Sequence, residues 1–220
     1  MSTSRIRYFE ECLAILGFKM AYKAFRLVKK EMCKEKGYTR HNGDHYYYHL
    51  VYVAQKLIGA GIRDENIITA ALLHDIVEDV THIDLVYIRQ EFNEPVASMV
   101  NLVTKKPDVD YKHNPKELQA YLKAMIKNYG ACLIKVSDQI HNISTLLDAT
   151  PDKRLRKALE TETHYIPFFH DCRELYPWYS NFFFDATTIV EPQIQLIKEL
   201  YYETDKLKKE IVALQSSNNH

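Results

Sequence analysis

Only four cysteines occur in the 220 residues, Cys12, Cys33, Cys132 and Cys172, and none stands in a CxxC pair or at zinc-finger spacing. Their isolation argues against a disulfide framework and reads as the buried free thiols of an intracellular protein. A surplus of one charge is missing as well, since 29 Lys and Arg balance 29 Asp and Glu. Without a large basic field, neither nucleic acid nor a membrane surface is indicated as a partner, although local basic clusters can still hold a phosphorylated small molecule. No apolar run approaches the roughly 20 residues that span a bilayer. The opening "MSTSRIRYFEECLAILGFKM" lacks the basic-then-apolar layout and cleavage site of a secretory signal. Strand-like alternation, repeats and low-complexity linkers are also wanting. Together these absences lead to the expectation of a cytoplasmic globular protein, which an apolar fraction of 46% and a charged fraction of 26% suit. The length suits one well-cored domain.

What is present is helical periodicity. Phe9, Cys12, Leu13, Leu16 and Met20 fall on one stripe and predict a first amphipathic helix. "DHYYYHLVYVAQKLIGAG" reads as a second, closed by Gly59 and Gly61, and Asp64 is placed to cap a third, "ENIITAALLHDIVED". Further helices are expected over Ile83 to Phe92, Pro95 to Lys105, Pro115 to Asn128 and Ala131 to Leu147, with Asn114-Pro115 as a start signal. "KKPDVDYKHNP" reads as a surface loop. Between Tyr176 and Pro192 the aromatic residues Trp178, Phe182, Phe183 and Phe184 call for burial, while Pro177 and Pro192 interrupt regular structure. A last helix is expected from Gln193 to Leu214, followed by a frayed tail, "QSSNNH". The expectation is a single all-α domain. The tyrosines Tyr46, Tyr47, Tyr48 and Tyr52 read as a packing face.

The chemistry concentrates in "ALLHDIVEDV", where a histidine and three carboxylates sit in a run that otherwise looks buried. On a continuous helix, His74, Asp75, Glu78 and Asp79 would project within an arc of roughly 140°. Three negative charges on a half-buried face repel one another, and a divalent cation is the simplest relief. His74 and Asp75 cannot complete its shell alone. His49 and Asp138 each interrupt another apolar helical run and offer the missing ligands. Two imidazoles and two carboxylates suit Mn²⁺ or Fe²⁺, and the lack of thiolates argues against structural zinc. Taken alone, His49 also fits a core histidine and Asp138 a helix-pairing acid; the combination of all three places carries the reading. His141, three residues from Asp138, fits a packing or supporting role.

These motifs resemble the HD-domain hydrolases, specifically the hydrolase half of the RelA/SpoT family, which removes the 3′-pyrophosphate from (p)ppGpp. "ALLHDIVEDV", "TRHNGDHYYYHLVYVA", "MVNLVTKK", "LIKVSDQIHNISTL" and "ALETETHYIPF" carry the likeness, from about Thr39 to Phe168. The resemblance implies an HD-domain helical bundle with a motif-bearing core at about 39–168 and a helical extension at 169–216. It also implies one Mn²⁺ held by His49, His74, Asp75 and Asp138, and an attacking water activated or positioned by Glu78 and Asp79. Arg40, His41 and Asn42 would meet the guanine, and Asn142, Thr145 and Lys135 the sugar and phosphate region. Leu50, His41 and Gln139 depart from the usual residues of that family, the first bearing on helix geometry and the other two on base and phosphate contacts. With no room for a synthetase domain, the chain is similar to the stand-alone small alarmone hydrolases. Two alternatives stay open at this level: an HD phosphohydrolase of another nucleotide, such as a deoxynucleotide triphosphate or the 2′-phosphate of NADPH, and a nucleotide-binding module without catalysis.

Overall fold

The computed structural model of the chain describes residues 3–217. The first stripe divides into two helices, α1 (Thr3–Leu16) and α2 (Lys19–Glu31). Gly17, at φ 70°, turns the chain between them, so Met20 belongs to the second helix rather than to the stripe of Phe9 and Leu13. Ala21, Ala24, Phe25 and Val28 bury the inner face of α2 at i, i+3, i+4, i+7 spacing.

The core is built on helices that are apolar nearly all round. Asp64 caps α4 (Glu65–Leu73) by accepting from the Asn66 amide, and every residue from Ile67 to Leu73 is buried. α4 packs against α2, against α3 (Tyr47–Gly59) and against α7 (Glu94–Val103). After α4 come a four-residue helix α5 (Ile76–Asp79) and α6 (Leu85–Glu91), and the loop 104–114 leads to α8 (Pro115–Met125), where Asn114 accepts from the Lys116 amide as the sequence predicts. α9 (Tyr129–Ser144) is the second central helix, buried continuously from Gly130 to Ile140. At its start a Cβ on Gly130 would stand 2.5 Å from Met99 Sδ and 3.2 Å from Ile67 Cγ1, so the missing side chain lets α9 approach α7 and α4 closely.

α10 (Pro151–Glu160) runs through a π-helical turn, Thr161–Tyr165, into α11 (Ile166–Leu175). The all-α expectation is met: among the described residues the only strand-like pairing is one isolated bridge, Thr39 to His45. The chain's last third departs from expectation. α12 runs unbroken from Ser180 to Ser217 with Pro192 inside it. Pro192 lies on the solvent face, where the carbonyl it leaves unbonded can be hydrated, while Val190 and Ile194 stay packed on the body. Of the aromatic cluster only Phe183 is fully buried; Phe182 is half-buried, Phe184 lies beneath the Arg173 guanidinium, and Trp178 is 87% exposed. The tail expected to fray is helical as far as Ser217, and residues 218–220 lie outside the described residues.

Leu72, fully buried in the central helix, has no room to be replaced by solvent. Leu72→Ala is expected to lower unfolding stability by about 2–5 kcal/mol, read from urea denaturation.

Candidate metal centre

Three elements bring the site together: α3 carries His49, the junction of α4 and α5 carries His74 and Asp75, and α9 carries Asp138. The junction corrects the continuous helix expected over "ENIITAALLHDIVED". α4 stops at Leu73 and α5 starts at Ile76, with Asp75 at φ −104°, ψ −6° between them. No glycine or proline causes the break. The Ala71 carbonyl, which an uninterrupted helix would offer to the Asp75 amide, receives His74 Nδ1 at 2.8 Å. The chain keeps helical spacing across this junction, the Asp79 amide donating to the Asp75 carbonyl at 3.0 Å, so Asp79 stays one turn beyond Asp75. Asp75 turns toward the core cluster, whereas Glu78 and Asp79 are exposed and Glu78 Oε2 accepts from the Lys105 amide at 3.1 Å.

His49 Nε2 stands 3.1 Å from Asp138 Oδ1 and 3.6 Å from Asp75 Oδ2. His74 Nε2 stands 3.3 Å from Asp75 Oδ2 and 3.8 Å from Asp138 Oδ1. The ligand atoms of His49, His74 and Asp138 all lie within 4.8 Å of one another, and all three residues are buried. His74 Nε2 is itself buried and makes no hydrogen bond. Since Nδ1–H is used on Ala71, Nε2 is the nitrogen that faces the cluster, carrying a proton without a cation and offering its lone pair to a metal once that proton leaves. His49 Nδ1 is 2.6 Å from His141 Nδ1. Burial, with the nearby His49 and Arg40, holds His141 near about 2, so it is neutral and can accept from His49. His49 Nε2 is then free to face the same point. The donor set of two imidazoles and two carboxylates fits a divalent cation.

The surroundings compensate part of the charge. Lys135 Nζ donates to Asp138 Oδ2 at 2.9 Å and Asn142 Nδ2 to Asp138 Oδ1 at 2.5 Å, while Tyr46 Oη donates to Asp75 Oδ2 at 2.8 Å. Burial would raise both carboxyls, but Lys135 and His49 hold Asp138, and His74 and His49 hold Asp75, well below the usual carboxylate range. Burial would likewise depress His74; Asp75 and Asp138 overcome it and lift the imidazole to about 10. The cluster thus demands a positive charge, from a proton or from a metal. Asp79 is pushed up to about 6 by desolvation and by the charges of Asp75 and Glu78.

Of the sequence-predicted nucleotide residues, Arg40, His41, Asn42 and Thr145 line one cavity that reaches His49, while Asn142 and Lys135 lie against Asp138. Arg40 NH2 donates to Asn142 Oδ1 and Thr145 Oγ1, each at 3.1 Å, and its guanidinium lies 5.6 Å from the Tyr46 ring centroid. Arg40, His41 and Asn42 line a cavity of about 260 Å³ together with Tyr48, Tyr52 and His141. His41 Nε2 is 3.0 Å from Lys153 Nζ, and Asn42 closes on Asp44. Lys135 is buried against Asp138 and lies outside that cavity. A larger cavity, of about 880 Å³, begins at Val77 and Glu78 and is lined by six cations, Lys105, Lys106, Lys112, Lys153, Arg156 and Lys157. Desolvation, then Lys135 and Lys157, lower Lys105 to about 8, a repulsion that an anion would relieve.

Sequence reading gave Tyr46 a packing role, yet its hydroxyl orients Asp75 and its ring carries Arg40. Its place one turn before His49 is the available signal.

A family model described as HD domain matches residues 24–170, more than half of the sequence, and the chain belongs to the HD domain family. Among curated proteins, the bifunctional (p)ppGpp synthase/hydrolase SpoT of Escherichia coli K12 is 38% identical over 141 residues, 61% of this chain and 19% of that protein. The guanosine-3′,5′-bis(diphosphate) 3′-pyrophosphohydrolase of Aquifex aeolicus is 35% identical over 151 residues, 67% of this chain and 21% of that protein. The chain spans about a fifth of the length of these relatives. A solved structure described as a metazoan ortholog of SpoT that hydrolyzes ppGpp shares the fold, with a TM-score of 0.61 and 21% identity over 83% of this chain and 95% of its own.

Metal ligation needs a neutral His74 imidazole, whereas without a cation this group keeps its proton until the pH approaches about 10. Binding of a divalent cation at pH 8, with Mn²⁺ as the probe, is expected to release close to one proton, measured by titration calorimetry in two buffers of different ionisation enthalpy. His74→Ala should abolish both the binding heat and the release. Heat of binding that does not vary with the buffer would count against this arrangement.

Proposed function

We propose that this chain is a manganese-dependent hydrolase that removes the 3′-pyrophosphate of (p)ppGpp, yielding pyrophosphate with GDP from guanosine 3′,5′-bis(diphosphate) or with GTP from its 5′-triphosphate form. The observation that carries the reading is the convergence of His49, His74, Asp75 and Asp138 around an unpartnered, buried His74 Nε2. The names of the curated relatives support the substrate class. We further read residues 1–220 as one HD-type domain in the cytoplasm, and the four free cysteines suit that compartment.

His49, His74, Asp75 and Asp138 would hold the ion. When bound, Mn²⁺ supplies Lewis-acid stabilisation of phosphoryl charge and makes water more acidic. The chain's own groups do the rest. The cavity floored by Arg40 takes the purine, whose face stacks on a guanidinium held flat by Asn142 and Thr145. The six cations beyond Glu78 take a phosphate chain. Water attacks the phosphorus attached to the ribose 3′ oxygen, the water oxygen–phosphorus bond forming as the 3′ oxygen–phosphorus bond breaks. Glu78, at the mouth of the basic cavity, takes the water's proton with Asp79 beside it, and the 3′ oxygen leaves with a proton from solvent.

Purified protein with ppGpp and Mn²⁺ is expected to release GDP and pyrophosphate in equal amounts. Glu78→Gln should lower kcat by about 10²–10⁴-fold with bound metal retained. Arg40→Ala should raise KM by about 3–30-fold, the worth of one stacked cation. Full metal loading with no turnover of ppGpp would dispose of the proposal, and turnover of NADPH or a deoxynucleotide triphosphate instead would redirect it.

A further inference from the structure

α12 is far longer than the domain requires. Phe183, Ala186, Val190, Ile194 and Ile197 bind its first half to the body, and side-chain contacts continue as far as Lys198 with Glu162 at 2.9 Å and Tyr201 with Asp152 at 3.4 Å. Among the described residues none is buried from Tyr202 to Gln215. This leaves about 20 Å of helix standing in solvent. A solvated helix of that length is marginal by itself.

Its residues are not arranged for solvent. Leu200, Leu207 and Leu214 recur every seven residues, and Ile197, Thr204 and Ile211 do the same three positions earlier. That is the a/d seam of a coiled coil, with a period of 3.5. The seam emerges from the body at Ile197, which is buried, and continues through Leu200, Leu207 and Ile211, exposed by 43%, 58% and 53%. The opposite face carries Asp205, Lys206 and Lys209, paired within the helix as Lys209–Asp205 and Lys206–Glu210, as a solvated face should be.

The flanking residues choose the occupant. Leucine at d with β-branched residues at a favours two parallel strands over higher assemblies. Parallel pairing in register brings Glu203, at g, beside Lys208, at e, of a second copy, and Glu210 beside Gln215. An antiparallel pair would set Glu203 and Glu210 against each other and Lys208 near its own equivalent, a like-charge arrangement. We propose that the outer half of α12 is a dimerisation helix that pairs in parallel and in register with the same segment of a second copy of this chain. The contact lies outside both cavities of the candidate site, so it is independent of the proposed chemistry.

Sedimentation equilibrium of the full chain is expected to give a monomer–dimer equilibrium. Leu207→Asp combined with Ile211→Asp should leave a monomer with the same thermal unfolding of the body and the same Mn²⁺ binding. Glu203→Lys and Lys208→Glu should each weaken the dimer by about three- to tenfold, and the double reversal should restore it. Thr204→Cys should form an intermolecular disulfide under mild oxidation that the unsubstituted chain does not. A monomer at every concentration, a dimer that survives the two aspartates, or single and double charge reversals of equal effect would each overturn the proposal.

Discussion

Two carboxylates, Asp75 and Asp138, are held near each other at a buried point where α3, α9 and the α4–α5 junction meet, and the rest of the molecule answers to that charge. One negative charge is matched by Lys135, itself buried and 2.9 Å from Asp138. Hydrogen bonds from Tyr46 and Asn142 stabilise the carboxylates without adding charge. The second negative charge has two imidazoles beside it and no fixed cation. Removing an ion pair from water costs several kcal/mol per ion unless the partners are well placed, so an unmatched carboxylate here would be untenable. A proton on His74 meets the need in one state and a divalent cation in the other. The same deficit that makes the site costly is what makes it bind.

This requirement explains where the fold departs from regularity. α4 is apolar on every face because it lies at the centre of the domain, yet it breaks at His74 and Asp75, where the imidazole occupies the Ala71 carbonyl and the carboxylate turns inward. The π-helical turn at Thr161–Tyr165 lies by Lys135, and Tyr165, whose hydroxyl is kept protonated by burial, helps enclose that lysine. Irregular turns at such places are costs borne locally for a site, while α3 and α9, which deliver single ligands, stay regular.

Much of this was legible because polar residues in apolar helical runs are conspicuous. His49, His74 with Asp75, and Asp138 each stood out in their own segment, and the caps Asp64 and Asn114 marked helix starts that the structure keeps. The break after Leu73 was not legible, because nothing in "ALLHDIVEDV" interrupts helical periodicity and its cause is a side chain competing for a backbone carbonyl. α2 went unread although Ala21, Ala24, Phe25 and Val28 have the spacing of a buried face. Aromatic content misled at Trp178, since burial depends on which way a turn points rather than on the residue type. Pro192 misled for the converse reason: on the outer face of a helix anchored by Val190 and Ile194, a missing hydrogen bond is tolerable.

Two cavities near the cluster, one reaching His49 and one beginning at Val77 and Glu78, differ in kind. The smaller is lined by four rings, Tyr48, Tyr52, His41 and His141, with Arg5 and Arg40 against Asp44 and Asp148; the larger sets five lysines and Arg156 against Glu78, Asp110, Glu117 and Glu160. On the function proposed above, a ligand filling both would place its aromatic end in the smaller and its phosphates in the larger. His41 sharpens this division. Desolvation and the charges of Lys153 and Arg40 lower its basicity, and Lys153 Nζ sits 3.0 Å from its Nε2, so the ring accepts from the lysine and stays neutral. Lys153, which lines the larger cavity, thereby ties its wall to the loop that carries Arg40, His41 and Asn42. His41, kept neutral, thus adds no charge beside Arg40 and instead couples its loop to Lys153 and the wall of the larger cavity.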